Sequence, residues 1–225
     1  MVVLVCVSVV WFLQKIQHLG HTTQERVRKK LTTLLFYICC CHTGPWCSFD
    51  TFFKGKTDGV FVEMGALDGH KFSNTIKHEK YLNWRGVLIE PDPDNYATLK
   101  KTRSGQALFH AASCNKCQKI HFARSHENAV GGIWEFMTER FKRMWFPNGN
   151  TNSVPLVCMP LDMILQTVNV NHVNFFSLDV EGAELEVIKG IDWSKFSFDV
   201  MVLEKDNPKR ADPDLETLSG KRVRE

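Results

Sequence analysis

Hydrophobic and polar positions change their pattern at about residue 59. From there on, short runs of almost purely apolar residues alternate with stretches that mix apolar and charged positions. Continuous apolar runs of this length are typical of strands that are buried on both faces of a sheet. The pattern predicts five such strands, which are Val60–Met64, Gly86–Glu90, Ala107–Ala111, Val173–Val180 and Phe198–Glu204.

The stretches between these strands predict helices over Ser73–Leu82, Asp94–Arg103 and Gly182–Lys189. Strands that alternate with helices form parallel sheets, because a parallel pair needs a crossover connection. Right-handed crossovers then give a doubly wound α/β fold with a mostly parallel sheet. In such folds the ligand binds beyond the carboxyl ends of the strands, so we expect the functional site at that edge.

Residues 114–160 form a long insert between the third and fourth predicted strands. Within it, four large apolar residues recur at helical spacing, namely Trp134, Met137, Phe141 and Met144. This spacing favours the buried face of a helix. A substrate lid and a base-stacking surface are the alternatives.

Two further apolar runs, Val2–Leu13 and Leu31–Cys41, precede the predicted domain. The first is shorter than the roughly 17–25 residues that span a bilayer. The second follows a basic cluster at 26–30, which favours a cytoplasmic N-terminus and translocation of the rest, and palmitoylation of Cys39–Cys41 would strengthen membrane association. We predict a targeting or anchor region over residues 1–47 and a secretory-pathway location (endoplasmic reticulum or Golgi), membrane-anchored or lumenal. A partly buried helix, a wrongly assigned gene start and a cytoplasmic location are the alternatives.

Length and composition predict one globular domain with appendages. The chain has 225 residues, of which 44% are hydrophobic and 24% charged. We assign residues 48–206 to the domain and residues 207–225 to a polar tail. The net charge of +3 is too small to make nucleic acid a default partner, so no nucleic acid is expected.

The eight cysteines leave several states open. A disulfide that involves Cys114, Cys117 or Cys158 is expected if the domain is lumenal. Cys114 and Cys117 with His121 form half of a zinc-site pattern, and free thiols are the third state. A metal site of Asp179 with Asp206 and Asn207 is a weaker interpretation, and we predict no resident metal.

The chemistry-bearing residues stand where the predicted strands end. Glu63 closes the first strand and is followed by a turn with Gly65 and Gly69, which would let the backbone approach a ligand closely. Glu90 closes the second strand, where a carboxylate can accept both hydroxyls of a ribose. These features fit a dinucleotide or S-adenosylmethionine. The absence of G-x-G-x-x-G from the turn favours S-adenosylmethionine.

Three longer motifs carry a family resemblance. The stretches FVEMGALDGHKFSNT, WRGVLIEPDPDNYATLKKTR and VNFFSLDVEGAELEVIKGI occur in this order. Together they resemble the FkbM-type methyltransferase domain over about residues 60–204. The resemblance implies a class I methyltransferase fold of the Rossmann-like type, with S-adenosylmethionine as cofactor. The GALDG and VPLVCMPLDMIL segments look most like the animal Star-like branch, whose members resemble one another in a membrane anchor and a role in secretory traffic.

The resemblance also implies roles for residues of this sequence. The cofactor turn would comprise Glu63, Gly65, Ala66, Asp68 and Gly69, Glu90 would hold the ribose, and Ala112 and Ser113 would lie near the adenine. Asp179 is the preferred catalytic base, and Glu181 is the second candidate. Asp179 could instead orient the cofactor or cap the next helix. Glu184 is expected to be a solvated or capping charge.

The expected activity is O-methylation of a small-molecule or glycan hydroxyl. The alternative is a catalytically silent, Star-like protein with this fold that acts on protein cargo at a membrane. Two features depart from the family pattern. Leu67 stands where many members carry Asn, and only 21 residues follow Glu204. We therefore expect a sheet that is truncated at its C-terminus.

Overall fold

The computed structural model describes residues 53–203, and its centre is a five-stranded parallel sheet. The strands lie in the order β3-β2-β1-β8-β9. Their bounds are Val60–Met64 for β1, Arg85–Ile89 for β2, Ala107–Phe109 for β3, His172–Leu178 for β8 and Ser197–Leu203 for β9. All five predicted strands are therefore present, in the parallel arrangement expected.

Helices connect these strands and complete a doubly wound, Rossmann-like α/β fold. They are Ile76–Leu82 (α1), Pro93–Thr102 (α2), Leu161–Thr167 (α4) and Glu184–Lys189 (α5). Apolar residues cover both faces of the sheet. Val62 and Met64 of β1 pack in one buried cluster, whereas Phe61 packs in another. The continuous apolar runs follow from this double burial.

The carboxyl ends of three strands lie level with one another. Met64 at the end of β1 pairs with Ile89 of β2 on one side and with Leu178 of β8 on the other. The residues that follow these three strands therefore meet at one edge of the sheet. This alignment brings together the segments after Met64, Ile89 and Leu178, which carry most of the predicted site.

A second sheet occupies most of the predicted insert. Its strands are Ala112–Ser113 (β4), Gln118–Arg124 (β5), Gly131–Ile133 (β6) and Ser153–Met159 (β7), in the order β4-β7-β5-β6. β5 pairs antiparallel with both β6 and β7, and β4 runs parallel to β7. The expected third strand, Ala107–Ala111, is wrong at its end because the chain leaves the first sheet after Phe109 and enters the second at Ala112.

The helical interpretation of the insert is only partly correct. A helix, α3, covers Glu139–Trp145, and the hydroxyl of Thr138 caps it by accepting from the Phe141 N–H. Met137 is buried before the helix begins, with Trp134 and Phe141 packed nearby. Met144, however, is 56% exposed. These aromatics belong to a small core, but four residues at helical spacing do not form one helix face.

The starts of the helices differ from their predictions by three residues at α1, by two at α5 and by one at α2. α1 begins at Ile76 rather than at Ser73, because residues 73–75 leave the helix to bind the Glu63 carboxylate. α2 begins at Pro93, where Asp92 accepts from the N–H groups of Asp94 and Asn95. An aspartate cap followed by proline is a strong helix-start signal.

The structure decides between the disulfide, zinc and free-thiol alternatives for Cys114, Cys117 and Cys158. Cys114 and Cys158 form a disulfide with a Cα–Cα distance of 5.7 Å, and Cys117 is an exposed free thiol. The zinc alternative is wrong because the Cys114 sulfur is already bonded, and His121 instead pairs with Glu135. Across residues 53–203, no group of three or more potential ligands is placed to hold a metal ion.

Several predictions fall on residues that the structure does not describe. They concern the targeting region (1–47), the flanking residues 48–52, Glu204, the Asp206 and Asn207 alternative, the polar tail (207–225) and the C-terminal truncation. Among the helices within 53–203, none is long and apolar enough to cross a membrane.

Candidate active site

A cleft opens at the carboxyl edge of the parallel sheet. It lies between the segments that follow β1, β2 and β8 and the wall formed by β4–β6, and it encloses about 850 Å³ of empty space, including its open mouth. This is the edge at which the fold predicts a ligand. Eight of the predicted site residues line the cleft, namely Glu63, Gly65, Ala66, Glu90, Ala112, Ser113, Asp179 and Glu181.

Glu63 organises the loop between β1 and α1. It lies on the same face of β1 as Phe61, and its carboxylate is buried. One oxygen accepts from the Asn74 N–H at 2.7 Å, and the other accepts from the hydroxyls of Ser73 and Thr75 at 2.9 and 2.6 Å. Burial raises the pKa of the Glu63 carboxyl, and these hydrogen bonds and Arg103 oppose that rise. The carboxylate therefore fixes the loop that forms one side of the cleft.

Arg103 completes this buried network and was not predicted. Its guanidinium lies 3.7 Å from the Glu63 carboxylate and 5.5 Å from the centre of the Phe61 ring. It donates to Gly69 O at 2.9 Å, to the hydroxyls of Ser73 and Thr75 at 3.1 Å each, and to Glu79. In the sequence Arg103 is one of several basic residues near the end of a helix, so no local signal distinguishes it. Only the tertiary structure brings it over β1.

Glu90 holds the turn after β1 from the neighbouring strand. Its two oxygens accept from the N–H groups of Leu67 and Asp92, each at 2.8 Å. The side chain is buried, and this desolvation raises the pKa of the Glu90 carboxyl to about 8. An empty cleft therefore favours the protonated acid at neutral pH. Ligand hydroxyls that donate to the carboxylate would favour its charged form instead.

The two glycines of the turn have packing roles that the sequence alone did not indicate. Gly65 has φ +79°, and a Cβ there would lie 1.9 Å from the carbonyl oxygen of Asp179. Gly69 has φ +78° and faces α2, where a Cβ would meet Leu99 and Arg103. Gly65 thus permits the segments after β1 and β8 to approach one another, beside the cleft. Gly69 lies away from the cleft lining.

Asp68 also lies outside the cleft lining. Its carboxylate accepts from the N–H groups of His70 and Lys71, at 2.8 and 2.7 Å, and so shapes the turn. Asp68 and Gly69 therefore shape the turn, and their contact with the cofactor stays a prediction.

The second sheet supplies the opposite wall. Ala112 and Ser113 of β4 line it together with Phe122 of β5 and Gly132 of β6. The Ser113 hydroxyl is buried and has no hydrogen-bond partner among residues 53–203. A buried polar atom without a partner is costly, so this hydroxyl is well suited to a polar ligand group.

The segment after β8 carries the two predicted catalytic carboxylates. Asp179 is exposed directly beyond the strand, where its N–H donates to Met64 O at 3.1 Å. Glu181 is in the left-handed region at φ +54°. Glu184 is buried rather than solvated, and it accepts from the N–H groups of Val180 and Gly182, so it holds the loop that precedes α5 and does not cap that helix. Asp179 and Glu181 therefore share one side of the cleft with Glu63 and Glu90.

Several cleft residues escaped the sequence analysis. They are Lys71, Phe72, Asn74, Asn95, Asn128 and Ser177. Asn74 donates to the Ser177 hydroxyl at 2.9 Å, and Asn95 donates to Asn128 O at 3.1 Å. Asn74 stands in the quoted SNT segment, Asn95 in PDPDNY and Ser177 in SLD, so those motifs were the signal that could have found them. Asn128 had no such signal.

The fold and the cleft define a Rossmann-like α/β protein whose ligand site combines buried carboxylates with a glycine turn. The model of the methyltransferase FkbM domain matches residues 63–219, which is more than half of the chain. The protein therefore belongs to the FkbM methyltransferase family. Membership implies a methyl donor.

Other comparisons add less. No curated protein was found to match the chain. A crystal structure of a methyltransferase FkbM from Methylobacillus flagellatus is similar, with 19% identity and a TM-score of 0.37. That similarity covers 59% of this chain and 28% of the bacterial one, so this chain spans well under half of that protein.

Proposed function

We propose that the protein is an S-adenosylmethionine-dependent methyltransferase that transfers a methyl group to a hydroxyl of a small molecule or glycan. The proposal rests on one observation about the cleft, which is that buried Glu90 and the unpartnered hydroxyl of Ser113 both line it. Family membership supplies the reaction class. The closer resemblance to the Star-like branch stays a prediction.

The chain's own residues fit this cofactor. Glu90 would accept the two ribose hydroxyls, and Ser113 on β4 would bind the adenine. Gly65 and Ala66 line the cleft between Glu63 and Glu90, where the amino-acid part would pass. The bound cofactor would supply an electrophilic methyl group on a sulfonium. The carboxylates of Asp179 and Glu181, which also line the cleft, suit a ligand that carries positive charge.

The remaining chemistry is the removal of a proton from the acceptor. A hydroxyl becomes an effective nucleophile when a positioned carboxylate takes its proton as the new bond forms. We assign this role to Asp179, which is exposed at the open side of the cleft. Glu181, two residues further on, is the second candidate. Asn74 and Ser177, whose side chains are hydrogen-bonded, would orient the acceptor beside them.

Calorimetry of the full chain with S-adenosylmethionine and S-adenosylhomocysteine tests cofactor binding. Turnover is then followed as release of S-adenosylhomocysteine with a panel of hydroxyl acceptors. Asp179→Asn should lower turnover by about 10²–10⁴ with little change in cofactor affinity, because it removes a base and keeps the shape. Asp199→Asn, on β9 and outside the cleft lining, is the control. Undiminished turnover in Asp179→Asn would show that Asp179 is not the catalytic base and would leave Glu181 as the next candidate.

The binding-protein alternative differs in its outcomes. A silent fold would support no turnover with any acceptor, and Asp179→Asn would leave the export of cargo unchanged.

A lumenal location is a separate proposal, supported by the Cys114–Cys158 disulfide, since disulfides persist in oxidising compartments. Protease treatment of intact microsomes tests it, because digestion of the domain without detergent would place it in the cytosol.

A further inference from the structure

The cleft has one cationic side chain. Its described lining residues include four carboxylates, from Glu63, Glu90, Asp179 and Glu181, but Lys71 is the only lysine or arginine among them. A single ammonium group in an otherwise acidic cleft defines a specific position for a negative ligand group. Neither the family match nor the sequence motifs assign a role to Lys71.

The surrounding turn holds Lys71 at the mouth of the cleft. Its backbone N–H donates to the Asp68 carboxylate at 2.7 Å. The next residue, Phe72, has φ +61° and a side chain that is 57% exposed. A bulky residue in the left-handed region costs roughly 1–3 kcal/mol, so the fold keeps this turn at a cost. The exposed ring and the lysine are thereby presented side by side.

Among the described residues, the ammonium group of Lys71 has no anionic partner. Its Nζ lies 5.0 Å from the centre of the Phe72 ring, and within residues 53–203 it pairs with no carboxylate. A cation over an exposed ring gains only about 0.5–1 kcal/mol. The group is therefore available to a carboxylate that enters the cleft, and the ring would shield that ion pair from water.

We propose that Lys71 binds a carboxylate of the ligand, with Phe72 packed beside it. This inference rests on the proposed function. A carboxylate could come from the amino-acid part of the cofactor or from an acidic acceptor such as a uronic acid. In both cases Lys71 is a ligand-binding residue whose charge sets the specificity of the cleft.

Calorimetry on the full chain separates the two sources. Lys71→Gln is compared with Lys100→Gln, because Lys100 also lies over an aromatic ring, 5.2 Å from the centre of Tyr96, but outside the cleft lining. The probes are S-adenosylmethionine, its decarboxylated analogue and, with S-adenosylhomocysteine bound, glucuronate and glucose. Lys71→Arg keeps the positive charge, so it should bind these probes with about the affinity of the wild type.

If the carboxylate belongs to the cofactor, Lys71→Gln should weaken the binding of S-adenosylmethionine by about 5- to 20-fold and leave the binding of the decarboxylated analogue unchanged. If the carboxylate belongs to the acceptor, the affinity for the cofactor should stay constant. The affinity for glucuronate should then fall by a similar factor, while the affinity for glucose does not. If Lys71→Gln behaves like Lys100→Gln with all four probes, the inference is overturned while the proposed function stands. If the wild type binds no S-adenosylmethionine, both are overturned.

Discussion

In the five-stranded sheet the central strands are buried along almost their whole length, whereas strands of the second sheet alternate between buried and exposed side chains. β8, for example, has one exposed residue followed by six buried ones. In β5, Ile120 and Phe122 are buried while Lys119 and His121 are exposed. The first pattern belongs to a layer between helices, and the second to a sheet with one solvated face.

The two sheets also contribute differently to the cleft. The parallel sheet contributes Glu90 and the segments that carry Gly65 and Asp179. The second sheet contributes small and apolar residues and the Ser113 hydroxyl. Gly65 lets the segments after β1 and β8 pack within the first part, the disulfide links the end of β4 to β7 within the second, and Arg124 connects the second sheet to α2. The ionisable groups of the cleft therefore follow the strands of the buried parallel sheet, whereas the second sheet forms the apolar surface that faces them.

The largest expected effect breaks the parallel sheet itself. Gly65→Ala would combine an unfavourable φ with a Cβ that lies 1.9 Å from a backbone oxygen, so the free energy of unfolding should fall by about 3–5 kcal/mol. Gly105→Ala is the control, since a Cβ there meets nothing within 4 Å. Denaturant unfolding measures both. Equal midpoints for the two variants would mean that the turn after β1 can move away from Asp179.

Removing the disulfide tests how far the second sheet depends on a covalent link. The bond joins residues 44 apart, at the junction of β4 and β7. Loop-closure entropy predicts a loss of about 2–4 kcal/mol in the Cys114→Ala, Cys158→Ala double variant. Cys117→Ala, which removes the exposed thiol, should change little. Unfolding with and without reductant provides the measurement, and a double variant as stable as Cys117→Ala would contradict the prediction.

Glu90 gives the parallel sheet a pH dependence. Its folded pKa of about 8 lies above the ordinary value of 4.5. The stability that its proton contributes is therefore complete at low pH and is lost as the pH rises from about 4.5 to about 8. We expect the unfolding free energy of the wild type to fall by about 3–4 kcal/mol relative to Glu90→Gln over this range.

Unfolding at pH 5, 6.5 and 8 measures that difference for Glu90. The comparison with Glu90→Gln cancels the titration of other groups. A constant difference would indicate that the carboxyl is already ionised at pH 5 in the folded protein.

The smallest expected effect concerns the ion pairs between the second sheet and α2. Arg124 at the end of β5 pairs with Asp92 at 2.5 Å and with Asp94, both at the start of α2. Because the guanidinium is partly exposed, Arg124→Gln should cost only about 1 kcal/mol. Lys189→Gln, which breaks a pair within α5, should cost less. If the two variants have the same thermal unfolding midpoint, the ion pairs of Arg124 contribute no more to stability than an ordinary surface pair.

The sequence determined the parallel sheet, the order of its elements and the strand ends at which the site lies. Each of these follows from local information: continuous apolar runs, helical stretches between them and acidic residues at the strand ends. It also identified Glu90 and Asp179, which stand in contiguous motifs, and through the family resemblance Ser113, and all three line one cleft.

Only the tertiary structure decided what lies opposite these residues. The second sheet pairs β5 with strands on either side of α3, and its short, half-exposed strands give weaker local patterns than the aromatics between them. Arg103 lies 40 residues from Glu63 in sequence, and Gly65 is constrained by an oxygen of Asp179 that is 114 residues away. Contacts between distant segments depend on how the layers pack, and no local spacing encodes them.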